Sequence, residues 1–242
     1  MAVVYGLWQK PVRISHVTIY GADPVPAGRQ ESLASVASAA MQGAYLGIIP
    51  RDSTFFYPAS AIRADILATD SDIAAVSLFR EGFTGLSVKV SGRVPIARWC
   101  GRIFATSTPV EESNCYFFDA NSLLYATSSD AVPVNSFAVY TPIATATQPL
   151  GATLPHNDAL PAAFDFARQL TALGSPVKQI IFRDTEVDDY LASGTRVTYL
   201  LGDERDTYTA LVSARASLNL VDGSLDYVDL RFSGKVYLKK KE

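Results

Sequence analysis

Two short stretches of the chain are rich in carboxylates, the side-chain type best suited to acid–base chemistry. Paired carboxylates act as acid and base when their surroundings move their pKa values apart. Both stretches flank predicted turns, where carboxylates are usually solvated or cap a helix. We therefore interpret them as surface groups rather than catalytic ones; they are Asp184, Glu186, Asp188 and Asp189, then Asp203, Glu204 and Asp206.

The sequence contains only two histidines that could serve as an acid, a base or a metal ligand. The two histidines are His16, in a predicted strand, and His156, in a loop beside a proline. The zinc motif H-E-x-x-H, the nucleophile motif G-x-S-x-G and the glycine-rich phosphate-binding loops are all missing from the sequence. The sequence indicates no metal, no cofactor and no catalytic residues, which favours a binding protein or scaffold over an enzyme.

The two cysteines, Cys100 and Cys115, have neither redox-motif nor zinc-ligand spacing. In an oxidising compartment a disulfide between them would contribute on the order of 3 kcal/mol to stability. In the cytosol they would be two unrelated thiols. The residues alone leave both alternatives open. A nucleophilic role for Cys115 would need a neighbouring base, and neither histidine is placed to supply one.

The composition is that of a folded globular protein. The chain has 242 residues, of which 48% are hydrophobic and 19% charged, with a formal net charge of −3. No basic field is available to attract nucleic acid. The lysines of the tail, 239–241, are expected to be solvated.

The apolar start of the chain, residues 1–8, is too short to cross a membrane, because a span needs about 20 apolar residues. It also lacks the basic region and cleavage site of a signal peptide. It is either a short buried strand or flap, or the outer stub of a membrane anchor. Tyr5 and Trp8 beside Lys10 fit the interfacial end of a span.

The first 93 residues predict a strand, two helices and two strands. Alternation places Val17 and Ile19 on one strand face, opposite His16, Thr18 and Tyr20. In the second helix Ile62, Ile66 and Leu67 are expected to face inward. The predicted strands are 14–20, 73–79 and 85–91, and the predicted helices are 29–42 and one that starts at Pro58.

After Pro95 the sequence changes to short β-rich runs, so we place a domain boundary near residue 93. A helix over 161–173 buries Leu160, Phe164, Ala167 and Leu170, and a second helix covers 207–218. The predicted strands are 115–119, 123–125, 137–140, 177–183, 196–201, 226–232 and 235–238.

Three segments together resemble the FtsQ/DivIB family of bacterial cell-division proteins. Residues 16–21, HVTIYG, are similar to that family's opening strand. Residues 86–99 contain the family's Arg-x-Pro-x-Ala-x-Trp junction as Arg93, Pro95, Ala97 and Trp99. Residues 227–232 and 235–237 resemble its terminal "YIDLRF…KVY" strands.

The resemblance implies an α+β protein: an N-terminal POTRA domain (β-α-α-β-β) over 13–93, then a mostly antiparallel β-domain with flanking helices over 94–242. Residues 1–12 would be the remainder of a single-pass anchor in the cytoplasmic membrane, with the body of the chain extracytoplasmic. That location favours the Cys100–Cys115 disulfide. Such proteins are non-enzymatic scaffolds of the divisome, and they bind partners of the FtsB/DivIC and FtsL types and help control septal cell-wall synthesis.

The last strands suit partner binding by strand addition, in which main-chain bonds give affinity and alternate side chains give specificity. The candidate partner-binding residues are Tyr227, Asp229, Arg231, Lys235 and Tyr237. On the other face lie Val228, Leu230 and Phe232. The alternative is that this apolar set is core and the polar set is merely solvated.

Two other functions remain open. A POTRA protein of secretion or outer-membrane assembly would bind extended polypeptides by the same strand addition, and would be expected to carry several such modules or a β-barrel. A cell-wall hydrolase would need an acid–base or metal site, and the sequence offers none.

Overall fold

A computed structural model describes residues 2–21, 25–101, 115–127, 132–144 and 148–241. It divides the chain into two compact units, Met1–Arg93 and Val94–Glu242. We call them the N-terminal and C-terminal units. The boundary coincides with the change in composition near residue 93, and the predicted mixture of helices with a large, mostly antiparallel sheet is confirmed.

The N-terminal unit follows the predicted order of strand, helix, helix, strand, strand, with a short helix and a small hairpin added. Its three-stranded sheet has the order β1-β5-β4, with β1 parallel and β4 antiparallel to the central β5. The elements are α1 (Ala2–Leu7), β1 (His16–Gly21), α2 (Ala27–Ala40), β2 (Ala44–Tyr45), β3 (Ile49–Pro50), α3 (Ala59–Thr69), β4 (Ile73–Glu81) and β5 (Gly85–Gly92).

The core of this unit lies between the sheet and the helices α2 and α3. Ile19 is buried as the strand alternation predicts, and Ile62 and Ile66 form the buried stripe of α3. The prediction that Leu67 faces inward is wrong, because it is exposed. It follows Ile66 by one residue, about 100° around a helix, which turns it away from the stripe.

Residues 2–12 belong to the N-terminal unit. They form α1 and a 3₁₀ turn, Lys10–Val12, so the strand alternative for this segment is wrong, while the alternative of a membrane-anchor stub stays a prediction. Leu7 is buried, and the indole Nε1 of Trp8 donates a hydrogen bond of 2.8 Å to the carbonyl oxygen of Ile48. Among the helices of the described residues, none has the length and hydrophobicity to cross a membrane.

The C-terminal unit is built on a nine-stranded sheet of order β14-β13-β12-β11-β10-β9-β6-β7-β8. Its core contains the predicted helix residues Leu160, Phe164, Ala167 and Leu170. The elements are β6 (Ala97–Trp99), β7 (Tyr116–Phe118), β8 (Leu124–Thr127), β9 (Ala138–Tyr140), α4 (Leu160–Ala172), β10 (Val177–Phe182), β11 (Glu186–Leu191), β12 (Arg196–Leu200), α5 (Glu204–Ser213), β13 (Leu225–Asp229) and β14 (Tyr237–Lys240).

The structure of this unit departs from the prediction at β11, α5 and the terminal strands. Strand β11 was not predicted, because its acidic residues resemble a turn. Helix α5 ends at Ser213 and is followed by a 3₁₀ turn, Arg215–Ser217. Strand β13 ends at Asp229 rather than at residue 232, and β14 is shifted two residues toward the C-terminus. The chain turns between Phe232 and Lys235, whose N–H donates to the Phe232 carbonyl at 3.0 Å.

Candidate partner-binding edge

Strand β14 lies at one edge of the nine-stranded sheet and pairs with β13 alone among the described strands. The pairing is antiparallel, with Asp229 opposite Tyr237 and Val228 opposite Leu238. Gly234, at φ +70°, provides the left-handed residue that the connecting turn requires. Strand β14 is thus a hairpin arm whose outer side has no neighbouring strand among the described residues.

The register of β14 leaves backbone groups on its outer side that no described strand pairs with. The N–H of Lys241 donates inward to the carbonyl of Ser224 at 2.9 Å. Because backbone groups alternate in direction along a strand, the N–H and C=O of Leu238 and Lys240 point outward, away from β13. These are the groups that an added strand would pair with.

The side chains around this edge are apolar and basic. Phe232, Tyr237 and Leu238 are all exposed, and the rings of Phe232 and Tyr237 meet edge to face at 5.4 Å between centroids. The cations are Lys235, Lys239, Lys240 and Lys241, of which Lys239 pairs with Asp226 at 3.5 Å. The edge therefore suits an extended segment that carries apolar and acidic side chains.

The five predicted partner-binding residues all lie on this hairpin or beside it, but they are not equivalent. Lys235 and Tyr237 are exposed. Arg231 is engaged internally: its Nε and Nη2 donate to the Asp229 carboxylate at 2.9 and 2.6 Å, and its Nη1 donates to Glu186 at 2.6 Å. The hydrogen bonds that Arg231 donates to Asp229 lower the pKa of that carboxyl.

Tyr227 is partly buried, with the guanidinium of Arg196 5.5 Å from its ring centroid. On the opposite face Val228 and Leu230 are buried in the core, so for these two the core alternative holds. Phe232 is not part of the core, because it lies in the turn beyond the end of β13 and is exposed. Exposed contact area on this hairpin thus comes mainly from β14 and its turn.

The interpretation of both acidic stretches as surface groups is wrong for three residues. Asp188 and Asp189 lie in β11 at 1% and 0% exposure, and Glu204 is buried at the start of α5. Asp188 accepts a hydrogen bond of 2.6 Å from the Thr198 hydroxyl and forms an ion pair with Arg183. Glu204 accepts the Gly202 N–H at 2.9 Å.

The carboxyl group of Asp189 is buried, and neither of its oxygens has a hydrogen-bond partner among the described residues. Burial raises its pKa well above the ordinary value, and the charges of Asp188 and Glu204 raise it further. Burial also raises the pKa of Tyr199, helped by Asp189 and Glu204. The signal for this placement was the spacing Val187-Asp189-Leu191, which puts the carboxyl on the apolar face of a strand.

The cysteines and histidines singled out in the sequence have the following places in the structure. Cys100 and Cys115 are joined in a buried disulfide with their Cα atoms 4.2 Å apart, packed with Ala138, Tyr140 and Ile181. His16 is exposed on β1, and His156 is exposed in a loop. Over the part of the chain that is described, no group of three or more His, Cys, Asp or Glu residues is arranged to hold a metal ion.

Comparison with known proteins adds no assignment: no family model matches the chain, and no curated protein matches it significantly.

Proposed function

We propose that this protein is a non-enzymatic, extracytoplasmic scaffold of the bacterial divisome, of the FtsQ/DivIB kind, which binds partner division proteins by strand addition. The observation that carries the proposal is the edge of β14, where outward-facing backbone groups of Leu238 and Lys240 adjoin exposed Tyr237 and Phe232.

Two further features support the proposal. The strand, helix, helix, strand, strand order of the N-terminal unit is the order of a POTRA domain. The Cys100–Cys115 disulfide fits an oxidising compartment outside the cytoplasm, where such bonds persist.

The chemistry of the edge suggests what a partner supplies. A strand of an FtsB/DivIC-like or FtsL-like protein would pair its main chain with β14, and alternate side chains would contact Phe232 and Tyr237. Acidic side chains in that segment would complement Lys235 and Lys240. In this arrangement the Arg231–Asp229 pair stabilises the hairpin and does not contact the partner.

The proposal is tested by affinity capture from detergent-solubilised membranes of the source organism, with the 242-residue chain as bait. We expect recovery of small division proteins of the FtsB/DivIC and FtsL types. Leu238→Pro removes an outward N–H without breaking the ladder to β13, and it should abolish that recovery.

Leu238→Ala is the matched control, because it keeps the N–H and removes the side chain, so capture should weaken without being lost. Thermal unfolding of each variant verifies that the fold persists. Capture of secretion or outer-membrane components instead, or equal capture of division proteins by Leu238→Pro and the unchanged chain, would contradict the proposal.

A further inference from the structure

The N-terminal unit carries a second exposed apolar surface, which we call the aromatic patch. It combines the start of the chain with the β2–β3 hairpin and the segment that follows it. Two of its members are exceptionally exposed, Leu46 at 96% and Tyr5 at 73%. The patch consists of Tyr5, Trp8, Tyr45, Leu46, Ile48 and Phe55.

The patch is held in place by hydrogen bonds rather than left as a loose tail. Trp8 Nε1 donates to the Ile48 carbonyl at 2.8 Å, and the Ile48 N–H donates to the Tyr45 carbonyl at 2.9 Å. The Thr54 N–H donates to the Val12 carbonyl at 3.1 Å, and the Phe55 ring lies 6.4 Å from that of Phe83. The hairpin and the chain start therefore form one structured surface.

The conformation and exposure of Leu46 are not explained by packing within the N-terminal unit. It sits at the tip of the hairpin with φ +51°, a left-handed conformation that is unfavourable for a leucine. Its side chain is almost wholly exposed and contributes no burial to this unit. A large apolar side chain presented in this way gains free energy only from an environment outside the protein.

The charge around the patch is positive, opposite to the chain as a whole. The segments that build it, residues 4–14 and 42–57, contain three cations, Lys10, Arg13 and Arg51, and one carboxylate, Asp52, which leaves +2 against a chain total of −3. Asp52 is bound to Arg13 at 2.6 Å. The Arg13 and Arg51 guanidinium groups each lie 5.6 Å from a ring centroid, of Trp8 and Tyr45 respectively.

We propose that the aromatic patch lies in the interfacial layer of an anionic phospholipid bilayer. Trp and Tyr favour the headgroup level, where their apolar rings and polar ends are both satisfied. Leu46 and Ile48 would enter the acyl boundary, and Lys10 and Arg51 would approach lipid phosphates. A protruding tip flanked by cations fits a fluid lipid surface better than a preformed protein pocket. This inference is independent of β14, which lies in the other unit.

The test is co-sedimentation of the 242-residue chain with vesicles of phosphatidylglycerol mixed with phosphatidylcholine, against vesicles of phosphatidylcholine alone. We expect binding to the anionic vesicles that weakens with added salt. Trp8 fluorescence should shift to shorter wavelength on binding, and since Trp99 is buried, Trp8 dominates the change.

The variant Leu46→Glu should reduce the vesicle affinity about tenfold or more, because it removes an inserting side chain and adds a repelled charge. Its high exposure makes misfolding of this variant a minor concern. Val132→Glu changes an exposed valine of the C-terminal unit and should leave vesicle binding unaltered. No vesicle binding at all, or equal binding by the Leu46→Glu protein, would overturn the inference. Saturable binding of a protein through the patch without vesicle binding would overturn it as well.

Discussion

The guanidinium of Arg231 donates hydrogen bonds of 2.9 and 2.6 Å to the two carboxylate oxygens of Asp229, two residues earlier in the chain. Its third nitrogen donates a hydrogen bond of 2.6 Å to Glu186. Because Glu186 belongs to β11 and Asp229 to β13, one side chain links two strands that are not neighbours in the sheet. The terminal hairpin is thereby fixed to the body of the C-terminal unit.

Arg231→Ala should therefore act mainly on stability. It leaves the largely buried Asp229 carboxylate without its main partner, and we expect a loss of about 1–3 kcal/mol in the free energy of unfolding. Arg231→Lys should recover only part of this loss, because an ammonium cannot bind the carboxylate in bidentate fashion. Urea titration of the three proteins measures the difference, and identical midpoints would contradict the role.

The same pair predicts a loss of stability in acid. The folded protein holds the pKa of Asp229 below its ordinary value, so the contribution is complete above the unfolded pKa near 4 and is lost as the pH falls through the folded value. Between pH 5 and pH 2 the stability of the unchanged protein should fall more steeply than that of Arg231→Ala. Parallel curves would show that Arg231 does not set this pKa.

Asp189 predicts the opposite dependence on pH. Its pKa is raised in the folded state, so its unfavourable effect is small in acid and grows as the pH rises above the unfolded pKa near 4. Replacement by Asn keeps the shape and removes the titration. We expect Asp189→Asn to flatten the decline in stability from pH 4 upward and to raise stability at pH 7 relative to the unchanged protein.

The charged groups that raise the pKa of Asp189 are Asp188 and Glu204, and the Tyr199 hydroxyl is buried nearby. Asp206 is exposed on α5 and is not one of these groups, so Asp206→Asn is a suitable control. It should leave the pH profile in place. An unchanged profile in Asp189→Asn would show that this carboxyl does not carry the effect.

The Cys100–Cys115 disulfide is expected to stabilise the folded protein. Replacement of both Cys100 and Cys115 by Ser should lower the free energy of unfolding by about 3 kcal/mol, since the bond closes a loop of about 15 residues. Thiol titration of protein prepared under oxidising conditions should find no free thiol after denaturation. Two titratable thiols in such a sample would rule out the bond.

The sequence predicted the parts of the fold in which hydrophobic periodicity is undisturbed. The alternation in β1 and the stripe Leu160-Phe164-Ala167 in α4 are strong local patterns, and they appear in the structure as expected. The terminal hairpin was also predicted, although Arg231 and Asp229 proved to be bound to each other.

Predictions failed where tertiary contacts override the local pattern. Strand β11 carries adjacent aspartates, which alone favour a turn, yet Val187 and Leu191 fix it in the sheet and bury both carboxyls. Residues 2–7 form a helix rather than the strand that was one of two alternatives, and Trp8, which follows this helix, is hydrogen-bonded to a hairpin about 40 residues later. The contact of Trp8 with the hairpin is not visible in a short sequence window. The alternation Val187-Asp189-Leu191 is visible, but the adjacent aspartates favoured a turn.

The central claim, strand addition at β14, is tested most directly by amide hydrogen exchange. The exchange of the Leu238 and Lys240 amides should be measured with and without the extracytoplasmic segment of an FtsB/DivIC-like partner from the same organism. Since both N–H groups face outward in the free protein, we predict rapid exchange alone and strong protection in the complex. If the partner binds while both amides continue to exchange rapidly, the partner uses another surface, and the assignment of β14 as the docking edge is wrong.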